Sequence, residues 1–150
     1  MILVGYQGVG KSTLAKNRLD CIDLESGNFW YNGKRPDDWY IYYCQIAEHL
    51  SAQGYIVLTS SHAVVREFLK ANSKEKLYVV YPALHLKDPW CTKLVERYEQ
   101  TKAEKDYKAW KNAEDRYEEN IKELMNCGLK PIEICSMDYD LGKLLSEIQN

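Results

Sequence analysis

The sequence has little phenylalanine: two residues, against 12 tyrosines and four tryptophans in a chain of 150. It has no apolar run near the ~18 residues that a membrane-spanning helix needs, so none is expected. It begins Met1-Ile2-Leu3-Val4-Gly5 with no basic stretch ahead of the apolar residues and no cleavage site, so no signal peptide is expected either. Charge of one sign is also missing. Lys and Arg number 20 against 22 Asp and Glu, a net charge of -2, and a chain built to coat DNA or RNA is normally basic. No repeat, low-complexity tract or linker interrupts the chain. One domain over residues 1–150 is the expectation, since the length fits a single core and leaves no room for a second one.

Neither a disulfide framework nor a zinc site is expected. The five cysteines, Cys21, Cys44, Cys91, Cys127 and Cys135, are odd in number and contain no C-x-x-C pair. They read as reduced, mostly buried thiols of a cytoplasmic protein. His49, His62 and His85 have no metal-ligand spacing. The abundant Tyr and Trp suit cleft rims and half-buried helix faces, where a polar handle reaches water or a partner.

What is present is an alternation of strands and helices. Short apolar runs at Ile2-Leu3-Val4, Cys21–Leu24, Tyr55–Thr59, Lys76–Tyr81 and Pro131–Cys135 read as strands. Between them lie helical stretches from Ser12 to about Arg18, from Trp39 to a stop at Gly54, from His62 (capped by Ser61) to Ala71, from Pro89 to Met125, and from Leu141 to Ile148. Trp39, Tyr42, Tyr43, Ile46 and Leu50 mark the expected inner face of the second helix. Tyr107, Trp110, Tyr117, Ile121 and Leu124 mark that of the long charged one. The pattern predicts an α/β sandwich with a mostly parallel sheet.

Between the first strand and first helix stands Gly5-Tyr6-Gln7-Gly8-Val9-Gly10-Lys11-Ser12, which fits G-x-x-x-x-G-K-[ST] at every fixed position. Glycines let the backbone turn so that successive N–H groups converge on phosphate oxygens. The following helix adds its positive end. Lys11 brings a point charge to the outer phosphates, and the Ser12 hydroxyl suits Mg²⁺. Gly5, Gln7, Gly8, Val9, Gly10, Lys11, Ser12 and Thr13 are therefore the expected ATP-binding residues. Asp23, at the end of the second strand, is expected to share the Mg²⁺ with Ser12 or to take a proton from an acceptor hydroxyl. Lys34 and Arg35 offer charge to an anionic acceptor, and Phe29-Trp30-Tyr31 offers a wall for a base or sugar.

The chain has no N-K-x-D or D-x-x-G string of small GTPases. Its most apolar strand ends in Thr59-Ser60-Ser61 rather than in the acid usual for motor ATPases. It resembles the nucleoside monophosphate kinase-like family of P-loop phosphotransferases, which includes adenylate, shikimate and gluconate kinases and small phage deoxynucleotide kinases. The resemblance is carried by the glycine-rich loop, by Asp23-Leu24-Glu25 and Ser26-Gly27-Asn28, and by the charged helices after the fourth strand. It implies a three-layer α/β/α P-loop NTPase fold, with a five-stranded parallel sheet in the order 2-3-1-4-5 and a helical lid over approximately residues 89–118. It also implies an acceptor site that includes Asp23, Glu25, Ser26 and Arg66, and lid arginines Arg97 and Arg116 acting on the transferring phosphate beside Lys11. The Gly-x-Pro-Arg of adenylate kinases is replaced here by Ser60-Ser61-His62-Ala63.

These readings make the expected protein a cytoplasmic, Mg²⁺-dependent kinase, monomeric or a small homo-oligomer. It would move the γ-phosphoryl group of ATP to a nucleoside monophosphate or a related nucleotide or nucleoside. The alternatives are a kinase of a non-nucleotide hydroxyl compound and a nucleotide-binding regulatory ATPase module. Action on a polynucleotide end is disfavoured by the lack of basic excess.

Overall fold

A computed structural model describes residues 1–149. Five strands form one all-parallel sheet: β1 (Ile2–Gly5), β2 (Cys21–Asp23), β3 (Ile56–Thr59), β4 (Leu77–Pro82) and β5 (Lys130–Ile134), in the order β2-β3-β1-β4-β5. The order agrees with the expected one. Leu3 lies in register with Leu58 on one side and Tyr78 on the other. All residues of β1 and β3 are buried, as parallel strands covered on both faces require, which is why they read as unbroken apolar runs. Edge strand β5 alternates instead and carries Pro131, which an edge tolerates.

Helices flank the sheet: α1 (Lys11–Asn17), α2 (Trp39–Ala52), α3 (Ala63–Asn72), α4 (Lys87–Thr101), α5 (Glu104–Met125) and α6 (Leu141–Gln149). The single long helix expected over 89–125 is two. Lys102 takes a left-handed φ of 54° and gives its N–H to the Tyr98 carbonyl at 2.7 Å, which ends α4. The expected inner face of α2 is also corrected. Trp39, Tyr43, Cys44, Ala47 and Ser51 are buried, whereas Tyr42 and Ile46 are exposed. At about 100° per residue the buried positions from Trp39 to Cys44 span an arc of about 140°, and Ile46 and Tyr42 fall about 90° and about 130° from its middle. On α5 the inner face holds Tyr117, Ile121 and Leu124, with Tyr107 outside. Ser61 does not cap α3; the cap position is His62, with no side-chain cap bond. Of the cysteines only Cys21 and Cys44 are buried, and all five are free. Burial pushes the Cys21 thiol up to about 11 and the Cys44 thiol up to about 12.

The preference for Tyr and Trp over Phe has a structural reason. The three largest fully buried side chains are Trp90, Tyr43 and Tyr117. Each gives its polar hydrogen to a backbone carbonyl: Trp90 to Gln7 at 2.9 Å, Tyr43 to Leu24 at 2.6 Å and Tyr117 to Ala83 at 2.8 Å. All three carbonyls lie just past the carboxyl ends of strands, so these aromatics fill the core and pin the loops that a phenylalanine would leave unbonded.

Candidate functional site

The glycine-rich loop leaves the end of β1 at the middle of the sheet. Gly8 and Gly10 have φ of 86° and 103°, a region that strains side-chain-bearing residues. Gly5 serves a different purpose. A Cβ there would come within 2.9 Å of the Lys11 Cδ, so its hydrogen makes room for the lysine to fold back over the loop. The Lys11 ammonium then donates to the carbonyls of Gly5 at 3.0 Å and Thr59 at 3.2 Å, at the carboxyl ends of β1 and β3. Burial holds Lys11 below the ordinary lysine value, while the charges of Asp23 and Glu25 pull it back up.

Carbonyl and N–H groups of the loop have different fates. The carbonyls of Gln7 and Val9 are bonded by Trp90 and Tyr139, each at 2.9 Å. Among the described residues the N–H groups of Gly8, Gly10, Lys11, Ser12 and Thr13 meet no acceptor. A run of free N–H groups beside an ammonium is an arrangement suited to anions. Ser12 is half-buried and Thr13 exposed, in the first turn of α1. Gln7 turns its side chain away, to the Ala109 carbonyl at 3.0 Å and the Asn112 amide oxygen at 3.2 Å on α5.

Asp23 ends β2, in register with Leu58. Burial raises its carboxyl above the usual carboxylate range, and Lys11 opposes the rise. Glu25 is exposed, and Ser26 opens a short 3₁₀ turn over Ser26–Phe29. The structure thus brings Lys11, Asp23 and Glu25 together. Arg97, on α4, is paired with the buried Asp106 at 3.1 Å, and its charge reaches both Lys11 and Asp23. The charge of Lys105, a residue that no motif marks, also reaches Asp23.

The other expected arginines are placed differently. Arg116 is exposed and bonds Glu119 at 2.9 Å, one turn along its own helix. Nothing connects it to Lys11 or Asp23. Arg66 is 8% exposed and ties α3 to α5, giving Nε to the Ser61 carbonyl at 3.0 Å and an Nη to Glu123 at 2.6 Å. Its guanidinium also borders a cleft of about 100 Å³ with Gln7, Ser61, Asn112 and Asn120.

Arg35 is held by aromatics. Asn32 and Gly33, both with positive φ, form a two-residue turn in which Tyr31 and Lys34 exchange backbone bonds. The turn sets Trp30 and Arg35 side by side, and the guanidinium lies 4.0 Å from the Trp39 ring centre and 5.1 Å from that of Trp30. Among the described residues no carboxylate pairs with Arg35. Phe29 packs on Trp39 and Tyr43, so it pins the loop, while Trp30 and Tyr31 remain exposed.

Sequence reading passed over His62. Its ring meets Trp39 edge to face at 5.2 Å, and its Nδ1 lies 2.8 Å from the Ser60 hydroxyl. Loss of water around the ring, with the charges of Arg35 and Lys11, holds it below the ordinary histidine value. Its spacing carried no signal, because its neighbours come from the loop before α2 and from the glycine-rich loop.

A Mg²⁺ ion fits this donor set only as a partner of phosphate oxygens. Among the described residues no three His, Cys, Asp or Glu side chains gather as a metal site, but a hydroxyl on Ser12 and the Asp23 carboxyl are what Mg²⁺ takes when phosphates and waters fill its other positions. No helix is long and apolar enough to cross a membrane among the described residues. No protein-family model matches the chain, and no curated protein matches it.

Proposed function

We propose that the protein is a small-molecule kinase of the nucleoside monophosphate kinase-like, P-loop type, moving the γ-phosphoryl group of ATP to a nucleoside monophosphate or a related nucleotide or nucleoside. The observation that carries this reading is the glycine-rich loop itself: the carbonyls of Gln7 and Val9 are bonded, the N–H groups of Gly8, Gly10, Lys11, Ser12 and Thr13 are free among the described residues, and the Lys11 ammonium, seated on the Gly5 and Thr59 carbonyls, feels the charge of Asp23. The 2-3-1-4-5 sheet order is in keeping with the family resemblance.

In this reading the loop N–H groups and Lys11 hold the triphosphate. Ser12 and Asp23 hold the Mg²⁺, which when bound neutralises phosphate charge. Arg97 adds positive charge from α4. Arg35, on its aromatic platform, faces an anionic acceptor, and Trp30 and Tyr31 offer it a stacking surface. Transfer needs little covalent help from the protein, so positioning and charge supply most of the acceleration. Arg66 and Arg116 have no part in it as placed. A non-nucleotide hydroxyl compound as acceptor is the second reading, favoured by Asp23, because a carboxylate with a raised pKa is the better proton acceptor.

The test is transfer of label from γ-labelled ATP, with Mg²⁺, to pooled nucleoside monophosphates, nucleosides, shikimate and gluconate, with Lys11→Ala alongside. Label entering the monophosphate pool and lost in the variant is the expected result. Label entering only a hydroxyl-compound pool selects the second reading. ATP binding with no transfer to any pool defeats both.

A further inference from the structure

The glycine-rich loop is gripped from outside by two side chains, Trp90 and Tyr139, backed by a third, Lys93, and no part of the proposed reaction uses them. Trp90, on the first turn of α4, gives its indole N–H to the Gln7 carbonyl at 2.9 Å and is fully buried. Tyr139, between β5 and α6, has its hydroxyl 2.9 Å from the Val9 carbonyl and 3.4 Å from that of Gly8. The two rings stack, with centres 6.0 Å apart and planes 20° from parallel. Lys93, one turn after Trp90, donates to the Tyr139 oxygen at 2.9 Å and lies 4.4 Å from the Trp90 ring centre.

Donor counting fixes the direction of these bonds. An ammonium only donates, so Tyr139 accepts from Lys93 and keeps its single proton for the loop carbonyl. The shorter contact makes Val9 the partner. Gly8 is packed against the same helix: a Cβ there would lie 3.0 Å from the Leu94 Cδ2 and 3.2 Å from the Trp90 Nε1.

Peptide geometry carries the consequence inward. The Gln7 carbonyl belongs to the same planar unit as the Gly8 N–H, and the Val9 carbonyl to the same unit as the Gly10 N–H. The chain has no cis peptide bond among the described residues, and in a trans unit C=O and N–H point in opposite directions. A carbonyl held outward therefore aims the next N–H to the inner side.

We infer that Trp90, Lys93 and Tyr139 form a positioning unit that fixes the loop's N–H groups in their phosphate-binding orientation before any ligand arrives. This rests on the proposal that the loop takes phosphate. The unit lowers the reorganisation needed on binding, and it acts on phosphate affinity without touching phosphate.

Tyr139→Phe tests this with the ring retained: it deletes the proton for Val9 and the acceptor for Lys93. Trp90→Phe deletes the other bond. Calorimetric titration of the full chain with MgATP, and separately with tripolyphosphate, gives the affinities, and thermal melts run alongside give stability. We expect Tyr139→Phe to weaken both ligands about three- to tenfold, the usual worth of one hydrogen bond, with the KM of the acceptor unchanged. If Trp90→Phe fails to fold, Tyr139→Phe decides alone. A lower melting temperature with unchanged affinity makes Tyr139 merely structural and overturns the inference. If wild-type protein binds neither ligand, the phosphate-site proposal falls, and this inference with it. Wild-type binding matched by equal binding of the variant overturns the positioning role alone.

Discussion

Tyr43 accepts the Ser60 N–H at 2.9 Å on the same hydroxyl that donates to the Leu24 carbonyl at 2.6 Å. One buried oxygen thus fastens the exit of β3 to the exit of β2. Asp23 immediately precedes Leu24 and His62 lies two residues past Ser60, so the bridge sets the spacing of the proposed acceptor side. Tyr43→Phe keeps the ring but leaves the Ser60 N–H and the Leu24 carbonyl, both on half-buried residues, without this partner. The expected cost is about 1–3 kcal/mol for the groups left unpaired. Chemical denaturation read by tryptophan fluorescence measures it, and an unchanged midpoint at unchanged slope contradicts it.

By resemblance Arg97 is the first lid arginine and Arg116 the second candidate, and their surroundings separate them further. Arg97 is oriented by buried Asp106 and its charge is felt at Lys11 and Asp23, whereas Arg116 pairs with exposed Glu119. Arg97→Ala is expected to lower kcat by about a hundredfold or more, the range for a charge on the transferring group. Arg116→Ala is expected to stay within about twofold of wild type. Steady-state rates at saturating ATP and acceptor decide it. Equal effects from the two substitutions would remove Arg97 from the mechanism.

These two arginines show how far the sequence could be read. Gly5, Gly8, Gly10, Lys11 and Ser12 were legible because backbone geometry forces their spacing, and β1 and β3 were legible because burial on both faces leaves an unbroken apolar run. Pairing between distant residues leaves no such local trace. Arg66 meets Glu123 57 residues away, Trp90 meets Gln7 at a separation of 83, and Tyr139 meets Val9 at 130. The break at Lys102 was hidden for another reason: a lysine in left-handed backbone carries no compositional mark of a helix end, as a glycine would. Tyr42 and Ile46 misled because apolar residues on an exposed helix face look like core until the neighbouring elements are in place.

Lys93 makes stability depend on pH in a definite direction. Burial, with the charge of Arg97, brings its folded-state value down to about 8, against about 10.5 for an unfolded lysine. Between these values the unfolded chain holds more protons, so stability rises with pH. The penalty of the buried ammonium is complete below about pH 8 and fades towards pH 10.5. Tyr139, pushed up to about 12, stays protonated across this window. Lys93→Met is therefore expected to show its largest relative gain in melting temperature near pH 7 and a shrinking gain by pH 10. A gain independent of pH would assign the effect to packing rather than to charge.

His62 is expected to link acceptor binding to protons. Lost hydration and the charges of Arg35 and Lys11 hold it below the ordinary histidine value, so it is mainly neutral at pH 7. A phosphomonoester bound beside Arg35 brings negative charge to the ring and raises that value. Binding then takes up a proton, and acceptor affinity strengthens as pH falls from the bound-state value towards the free-state one. The acceptor's own second ionisation, near 6, works against this in the same window. His62→Gln isolates the histidine by removing its charge while keeping a polar side chain near Ser60. Titrating a nucleoside monophosphate in buffers of different ionisation enthalpy counts the protons taken up. Wild-type protein is expected to take up more near pH 6.5 than His62→Gln does, and equal uptake would place His62 outside the acceptor's reach.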